Sequence, residues 1–347
     1  MALLVLITGT GRSGTSTMSG TLHHLGLSVP GPYIGANESN PKGFFESRWS
    51  VKFHKRLQEA AGIADFDGNP AAIDRARAAT TDDVKAELVA WLRQWDGEEQ
   101  VVVKDPRSVW AQMLWHDAAA EVGREIRYIS MLRHPAEVIG SRSTHYTTPN
   151  SPNKKRYETF TTARWINNSI ISERETRGQV RAFVQYTDLL EDWRPVAARL
   201  RDELGLSFDT DLSRDQHHAV DDFIEPSLRR HGVSWEGLSV PQRLIDLAEA
   251  VWSDVVALGE RAGVDEKASA DLDVQGERYA EIFTEASAIA HDATEHAKSD
   301  ARRAGRREGE ESAAGAAGPK VAETGARDLL REVGRRASRR LRSKAGR

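Results

Sequence analysis

Residues 3–26 read LLVLITGTGRSGTSTMSGTLHHLG, and this stretch indicates how the chain folds. The apolar run Leu3–Ile7 is typical of a short buried strand, and Thr15–Leu25 is typical of an amphipathic helix. The glycine-rich turn between them lets the backbone approach an anion, and N–H groups at the helix start point at it. Strand, glycine-rich turn and helix N-terminus together predict a phosphate-binding loop.

This loop differs from the ATP-binding P-loop at one position. The spacing of Gly9 and Gly14 fits that motif, but the motif continues with lysine, whereas this chain continues with Thr15. The cation of the loop comes three residues earlier, as Arg12. A phosphate site of this kind need not serve ATP and magnesium.

The length and composition of the chain exclude several classes of protein. A chain of 347 residues is long enough for one large α/β domain with appendages. It contains no cysteine, which excludes disulfides and cysteine-ligated zinc or iron–sulfur sites and suits a reducing cytoplasm. The run Leu3–Ile7 is too short for the apolar core of a signal peptide, and no run approaches the roughly 18 apolar residues of a membrane span. We expect a cytoplasmic protein.

Apolar runs and helical periodicity alternate along the chain. This alternation predicts an α/β fold with a parallel sheet flanked by helices. The predicted strands are Leu3–Ile7, Val101–Val103, Ile126–Leu132 and Val180–Tyr186. The predicted helices are Thr15–Leu25, Ser50–Ala61, Thr81–Trp95, Ser108–Glu121, Phe160–Arg177, Trp193–Leu204 and Val240–Gly263, and residues 205–239 are expected to form loops or a short helix.

The composition changes near Gly263, which divides the chain into a main domain and an extension. We predict a domain over 1–263, a charged helical extension over 264–308, and a flexible linker with a basic tail over 309–347. The extension is expected to contain one helix over 269–297, and the tail a basic amphipathic helix over 327–344.

Charge is unevenly distributed between the body and the tail. The net charge is −4, but Lys298–Arg347 contains 15 Lys or Arg and 7 Asp or Glu, a net of +8, which leaves −12 for the rest. Such a tail is either a solvated extension or a segment that binds an anionic membrane surface or an acidic partner. The second case would place the protein at the membrane periphery.

Three further segments carry residues suited to catalysis. They are NPKGFFES at 40–47, with Glu46, VVVKDPR at 101–107, with Lys104, and MLRHPAEVIGSR at 131–142, with Arg133 and Ser141. The last two follow predicted strands, and the carboxyl ends of parallel strands are where α/β folds bind ligands.

Together with the first loop, these segments resemble the sulfotransferases that use 3′-phosphoadenosine 5′-phosphosulfate (PAPS), especially the bacterial carbohydrate-type members. The resemblance covers about residues 1–235 and implies a P-loop NTPase-like fold, to which the composition after Gly263 adds a helical C-terminal extension. In that family the first loop binds the 5′-phosphosulfate, and an Arg with a Ser eight positions on binds the 3′-phosphate, here Arg133 and Ser141. The loop residues that match are Gly11, Arg12, Ser13, Gly14, Thr15 and Ser16.

The resemblance implies further roles outside the loop. GFFE is similar to a family element whose Glu can act as catalytic base, here Glu46. QYTDLL at 185–190 is similar to a Tyr-Glu-Asp-Leu element, with Thr187 replacing Glu, and places Tyr186 at the donor site. The segment LRRHG is similar to a C-terminal basic loop, which adds Arg229 and Arg230.

Residue chemistry distinguishes the catalytic roles. Many relatives have Lys where this chain has Arg12; Arg is less suited to donate a proton, but its planar fork clamps two anionic oxygens. We therefore predict an electrostatic role for Arg12 and assign the base to Glu46. Lys104 would lie near the transferring group if strand 101–103 neighbours strand 3–7; the alternative to a functional role is an ordinary salt bridge with Asp105 or Glu46. The sequence does not decide whether Asp105 and Arg107 belong to the donor site, belong to the acceptor site or only support the fold.

The sequence thus predicts an enzyme that moves a sulfonate from PAPS to a hydroxyl group, on a carbohydrate or glycolipid, and releases 3′-phosphoadenosine 5′-phosphate (PAP). We expect no metal requirement and no nucleic-acid partner. One alternative is a P-loop kinase that uses ATP. The presence of Thr15 in place of the P-loop lysine argues against it. Another is a non-catalytic nucleotide-binding scaffold that acts through its basic tail.

Overall fold

The computed structural model describes residues 2–36, 40, 42–146, 148, 151–212, 216–224 and 233–316. Four strands and thirteen α-helices lie in this part of the chain. The strands are β1 (Leu3–Thr8), β2 (Gln100–Lys104), β3 (Glu125–Leu132) and β4 (Arg181–Gln185). The helices are α1 (Thr15–His24), α2 (Arg48–Ala61), α3 (Ala72–Ala78), α4 (Asp82–Leu92), α5 (Gln112–Glu121), α6 (Pro135–Tyr146), α7 (Lys154–Thr176), α8 (Tyr186–Glu191), α9 (Trp193–Leu204), α10 (Ala219–Phe223), α11 (Gln242–Glu260), α12 (Glu266–Ile289) and α13 (His291–Ala316).

The four strands form one parallel sheet in the order β2-β1-β3-β4. In the centre, β1 pairs Ile7 with Lys104 of β2 and Thr8 with Ser130 of β3. The predicted parallel sheet is therefore confirmed, as is the condition that strand 101–103 lies beside strand 3–7. Because all strands run the same way, their carboxyl ends meet at one edge of the sheet.

Both faces of the sheet are covered by helices. Along β1, Leu3, Val5 and Ile7 pack on one side against α1, α8 and α9. Leu4 and Leu6 pack on the other side against α2, α4 and α5. This alternation follows from the two-residue period of a strand, and burial on both faces explains why β1 is apolar at consecutive positions.

Two predicted helices are interrupted in the structure. The segment predicted as Thr81–Trp95 ends as a 3₁₀ turn after α4, and the segment predicted as Ser108–Glu121 starts as a 3₁₀ helix over Pro106–Trp110, before α5. Asp105 caps this 3₁₀ helix by accepting a hydrogen bond from the backbone N–H of Arg107, and Pro106 occupies the first position, where an N–H is not needed.

The compact unit extends past the boundary expected at residue 263. It ends at Thr284, and Glu285 begins a second unit. Within the first unit, Ala268, Leu272 and Tyr279 of α12 are buried in the cluster formed with α7 and α11. The amino-terminal part of α12 therefore belongs to the main core rather than to an extension.

The C-terminal helices differ in length from the expectation. The single helix expected over 269–297 is two helices, α12 and α13, and α13 continues to Ala316, past residue 309, where a linker was expected. The helix expected over 327–344 lies outside the described residues, so binding of a membrane or an acidic partner by the tail stays a prediction. Among the described residues, no helix is long and apolar enough to cross a membrane.

On the two outer strands, some backbone groups form hydrogen bonds with residues that do not belong to the sheet. Ser28 lies along β2, where its N–H donates to the Gln100 carbonyl at 3.1 Å and its carbonyl accepts from the Val102 N–H at 2.8 Å. On β4, the carbonyl of Phe183 accepts a hydrogen bond from Nη2 of Arg199 at 2.9 Å.

The core position of α12 predicts a large effect of shortening one side chain. Leu272→Ala removes a fully buried side chain and should lower the free energy of unfolding by about 2–5 kcal/mol, measured by urea denaturation. Ile289→Ala changes a residue that is 84% exposed on the same helix and should alter it by less than about 0.5 kcal/mol. Equal, small effects of both substitutions would place α12 outside the core.

Candidate active site

A cleft of about 490 Å³ opens at the carboxyl edge of the sheet. Its walls include residues that follow or end each of the four strands: the loop after β1, Lys104 of β2, Arg133 after β3 and Tyr186 after β4. This volume lies in the range of roughly 300–1,000 Å³ typical of small-molecule sites. Residues far apart in sequence are therefore brought together by the parallel sheet.

The glycine-rich loop folds tightly onto the start of α1. Gly14 has φ +88° in the left-handed region, and a Cβ added there would lie 2.1 Å from Cδ2 of Tyr186, so only glycine fits. The N–H of Ser13 donates to the carbonyl of Thr10 at 3.1 Å, which closes the turn. The first turn of α1 contains no acidic residue. The positive end of this helix therefore faces the cleft without a neutralising carboxylate of its own.

Glu46 and Lys104 form an ion pair beside this loop. Nζ of Lys104 lies 2.5 Å from Oε1 of Glu46 and donates to Oγ of Ser16 at 3.1 Å. Burial lowers the pKa of Lys104, and the Glu46 carboxylate opposes that shift. Three residues that the sequence assigned to the site are therefore in contact, and Lys104 connects the carboxylate with the glycine-rich loop.

The backbone before Glu46 is fixed by aromatic packing. Phe45 has φ +49°, a left-handed conformation that is strained for a bulky residue. Its ring packs against Tyr33 and Phe223 at centroid distances of 6.0 and 5.5 Å, and its carbonyl accepts a hydrogen bond from Ser19 of α1. This packing holds the strained turn, and the turn directs Glu46 towards Lys104.

A buried hydrogen-bonded chain lies behind the ion pair. Nε1 of Trp115 donates to Nε2 of His54 at 2.9 Å, so His54 carries its proton on Nδ1 and donates it to Oδ2 of Asp105, also at 2.9 Å. Burial by itself would raise the pKa of Asp105, but His54 and Arg107 outweigh burial and hold that pKa well below its usual range. Asp105 is therefore a fixed negative charge.

Arg107 extends this chain into the cleft. Its Nη1 lies 2.8 Å from Oδ1 of Asp105 and 3.9 Å from Oε2 of Glu46, and its Nε lies 3.3 Å from Oδ2 of Asp65. The role of Arg107 was open from the sequence; the structure places its guanidinium in the cleft wall, next to Glu46. The rigid Asp105 positions Arg107, and Arg107 in turn faces the second oxygen of Glu46.

A second cationic group forms around Arg133. Its Nε donates to Glu137 at 2.9 Å, its Nη1 donates to the carbonyl of Arg12 at 3.0 Å, and its guanidinium lies 5.0 Å from the centre of the Tyr186 ring. Nε of Arg12 donates to Oγ of Ser141 at 3.2 Å. The structure therefore joins the pair Arg133 and Ser141 through Arg12, whose side chain points to this group, while Lys104 is the cation beside Ser16.

Not every residue assigned from the sequence lines the cleft. Ser13 is buried, and its Oγ pairs with Thr10 at 2.6 Å, so it shapes the loop. Arg229 and Arg230 lie outside the described residues, and their assignment stays a prediction. Among the described residues, no group of three or more His, Asp or Glu side chains is placed to hold a metal ion.

Several residues of the cleft wall had no motif that would identify them. Arg142 directly follows Ser141, so the motif at Ser141 indicates its position. Arg164 lies within a predicted helix and Phe66 in a loop, and neither segment contains a motif. Other lining residues that the sequence analysis did not assign to the site are Thr17, Asn40, Lys42, Gly43, Phe44, Asp65, Pro106, Arg107 and Phe223.

The cleft is strongly positive within an acidic body. Seven cationic side chains and two carboxylates line it. They are Arg12, Lys42, Lys104, Arg107, Arg133, Arg142 and Arg164, with Glu46 and Asp65. A concave surface with this excess of positive charge concentrates anionic ligands.

Comparison with known proteins identifies the class. The model of the Sulfotransferase family matches residues 5–210, more than half of the chain. The chain belongs to the sulfotransferase family.

Two solved structures are similar to this chain. One is the sulfotransferase domain from the Synechococcus PCC 7002 olefin synthase, with 19% identity and a TM-score of 0.39, covering 72% of this chain and 94% of that chain. The other is the sulfotransferase domain from the curacin biosynthetic pathway, with 15% identity and a TM-score of 0.34, covering 72% of this chain and 98% of that chain. No curated protein sequence matches the chain.

The buried charge of Asp105 predicts a pH-dependent contribution to stability. Because its pKa in the folded protein is below the ordinary value of 3.8, its stabilisation is complete above that value and is lost as the pH falls through the folded pKa. Asp105→Asn should lower the free energy of unfolding at pH 7 by about 3–5 kcal/mol, and by less below pH 3.8. Urea denaturation of both proteins from pH 7 to pH 3 measures the loss at pH 7 and its decrease at low pH.

The matched control for this prediction is Asp74→Asn. Asp74 is 72% exposed and pairs with Arg77 on the surface of α3, so its replacement should cost less than about 1 kcal/mol. A difference between wild type and Asp105→Asn that stays constant from pH 7 to pH 3 would show that the charge of Asp105 does not contribute.

Proposed function

We propose that this sulfotransferase transfers a sulfonate from PAPS to a hydroxyl group of a carbohydrate or glycolipid and releases PAP. The observation that carries the proposal is one cleft with two separate positions at which a cation meets a hydroxyl. Lys104 with Ser16 is one position, and Arg12 with Ser141 and Arg133 is the other. The donor has two separate anionic groups, the 5′-phosphosulfate and the 3′-phosphate, so the two positions suit it.

Each of the two positions would bind one anionic group of the donor. The N-terminus of α1 and the side chains of Thr15 and Ser16 would hold the 5′-phosphosulfate by N–H and O–H donors. The guanidinium of Arg133 and the hydroxyl of Ser141 would hold the 3′-phosphate, and Tyr186 lies against Arg133. ATP has no 3′-phosphate, so the second position would favour PAPS and PAP over ATP.

Transfer would follow an in-line displacement. Glu46 accepts the proton of the acceptor hydroxyl, whose oxygen forms a bond to the sulfur of the donor. The bond from sulfur to the bridging phosphate oxygen breaks, and its electron pair stays on that oxygen as PAP leaves. The N-terminus of α1 and the cation of Lys104 stabilise this negative charge, as in phosphoryl transfer. Arg107 positions the second oxygen of Glu46.

Choice of donor is tested by thermal unfolding with PAP, ATP with magnesium, and ADP at equal concentrations. A ligand that binds only the folded state raises the melting temperature, and PAP without metal should raise it most. Equal or greater stabilisation by ATP with magnesium would contradict the proposal and favour a kinase.

A variant of Arg133 sharpens this test. Arg133→Gln should weaken PAP binding by about 2–4 kcal/mol, because a charge-assisted contact with the 3′-phosphate is lost. Binding of adenosine 5′-phosphate, which lacks the 3′-phosphate, should change little, and calorimetry measures both ligands. Equal losses for both would mean that Arg133 only supports the fold through Glu137.

The base is tested by Glu46→Gln, which keeps the shape of the side chain and removes its charge. Turnover, measured as transfer of ³⁵S from labelled PAPS to carbohydrate acceptors, should fall by about 10²–10⁴-fold, while PAP affinity changes little. Glu87→Gln, at an exposed surface pair with Arg56, is the control and should leave turnover unchanged. Near-normal turnover in Glu46→Gln would assign the base to another residue.

A further inference from the structure

Two arginines from neighbouring helices meet on the cleft wall beyond the groups already described. Arg142 of α6 and Arg164 of α7 both line the cleft, together with Phe66. The guanidinium of Arg142 lies 5.5 Å from the centre of the Phe66 ring. A Cβ added at Gly11 would lie 3.1 Å from Nη1 of Arg142 and from Cζ of Phe66, so this group packs directly on the phosphate-binding loop.

The two guanidinium groups repel each other. Burial lowers the pKa of Arg164; Asp67 opposes this shift, and the charge of Arg142 adds to it. Holding two like charges on one wall costs free energy in the ligand-free protein, and a bound anion recovers that cost. Arginine suits such a site because its planar fork binds phosphate or carboxylate through two parallel hydrogen bonds.

Two acidic side chains that act on Arg164, Asp65 and Asp67, also contact other groups. Asp65 pairs with Arg107 at 3.3 Å. The carboxylate of Asp67 accepts hydrogen bonds from the backbone N–H groups of Ala64 and Asn69, at 3.1 and 2.9 Å. Within the described part of the chain, neither carboxylate forms an ion pair with Arg164. Asp65 and Asp67 are therefore held by other groups, and Asp67 attracts Arg164 without an ion pair between them.

The position of this wall relative to Glu46 points to the acceptor rather than the donor. The donor's two anionic groups are already assigned to the Lys104 and Arg133 positions. Arg107 forms ion pairs with both Glu46 and Asp65, and Phe66 is the residue that follows Asp65 in the chain. An acceptor with its hydroxyl at Glu46 would extend along this path and place its far end at the arginines.

We propose that Arg142 and Arg164 bind an anionic group, a phosphate or a carboxylate, on the acceptor, with Phe66 beneath it. This inference rests on the proposed function and adds to it: the acceptor is a hydroxyl compound that already carries a negative charge. On a carbohydrate acceptor, a sugar phosphate or a uronic acid has this chemistry.

The wild-type protein tests the inference without any variant. Transfer of ³⁵S from labelled PAPS is measured to glucose 6-phosphate, to glucuronate and to glucose as the neutral acceptor. We expect kcat/KM to be at least about tenfold higher for one or both charged sugars than for glucose, the scale of one charge-assisted contact. The phosphate and carboxylate arms show which anion fits. Equal values for all three sugars would overturn the inference.

Substitutions then locate the effect. Arg142→Gln and Arg164→Gln should each raise KM for the preferred charged sugar by about tenfold or more, with KM for glucose unchanged. Arg164→Lys, which keeps the charge, should recover part of the loss. Arg156→Gln, at an exposed position of α7 away from the cleft, is the matched control and should change neither value.

Binding of PAP to the same variants separates the two proposals. PAP affinity, measured by calorimetry, should stay within about twofold of wild type, since less than 0.5 kcal/mol is then lost. A loss of PAP affinity in Arg142→Gln or Arg164→Gln would overturn the inference and assign these residues to the donor. If PAP does not stabilise the wild type and no sugar is sulfated, the proposed function itself fails; if glucose is sulfated as well as the charged sugars, only the inference fails.

Discussion

The parallel pairing of β1 with β2 is the constraint on which the site depends. It sets Lys104 beside Ile7, at the end of the strand that leads into the glycine-rich loop. Side chains alternate between the faces of a strand, so a shift of one residue in this pairing would turn Lys104 away from Ser16 and Glu46. The register is held because β1 is buried on both faces, by different helices, and either face would lose its packing in a shifted sheet.

Charged residues are buried here at a cost that only a complete network can offset. Removing an ion from water is expensive, and its partners recover the cost only when their geometry is good. In this protein Trp115, His54, Asp105 and Arg107 each contact the next through a hydrogen bond or an ion pair, and Nη1 of Arg107 lies 3.9 Å from Oε2 of Glu46. The consequence is that the carboxylate and its cations hold one arrangement without a ligand, which is the preorganisation that the proposed reaction requires.

The sequence predicted the parts of this protein that local patterns encode. The four strands are short apolar runs, and the loop at 9–16 has a glycine pattern with a physical reason, since Gly14 lies where only glycine fits. The position of Lys104 beside the glycine-rich loop was expected only on condition that two strands are neighbours, and its ion pair with Glu46 was one of two alternatives. Arg164 and Phe66 could not be assigned, because their meeting depends on how α7 packs beside the loop. The core position of α12 was missed because a few residues, such as Leu272, bury a helix that is otherwise polar.

Within the described residues the sheet has four strands. On the outer strands of any sheet, unpaired backbone groups can pair with a strand of another chain. Ser28 occupies the N–H of Val102 and the carbonyl of Gln100 on β2. Arg199 occupies the carbonyl of Phe183 on β4, and the backbone of Gly259 packs against the same carbonyl. At these positions the edge groups are already bonded within the chain, so they are not available to pair with a strand of a second copy.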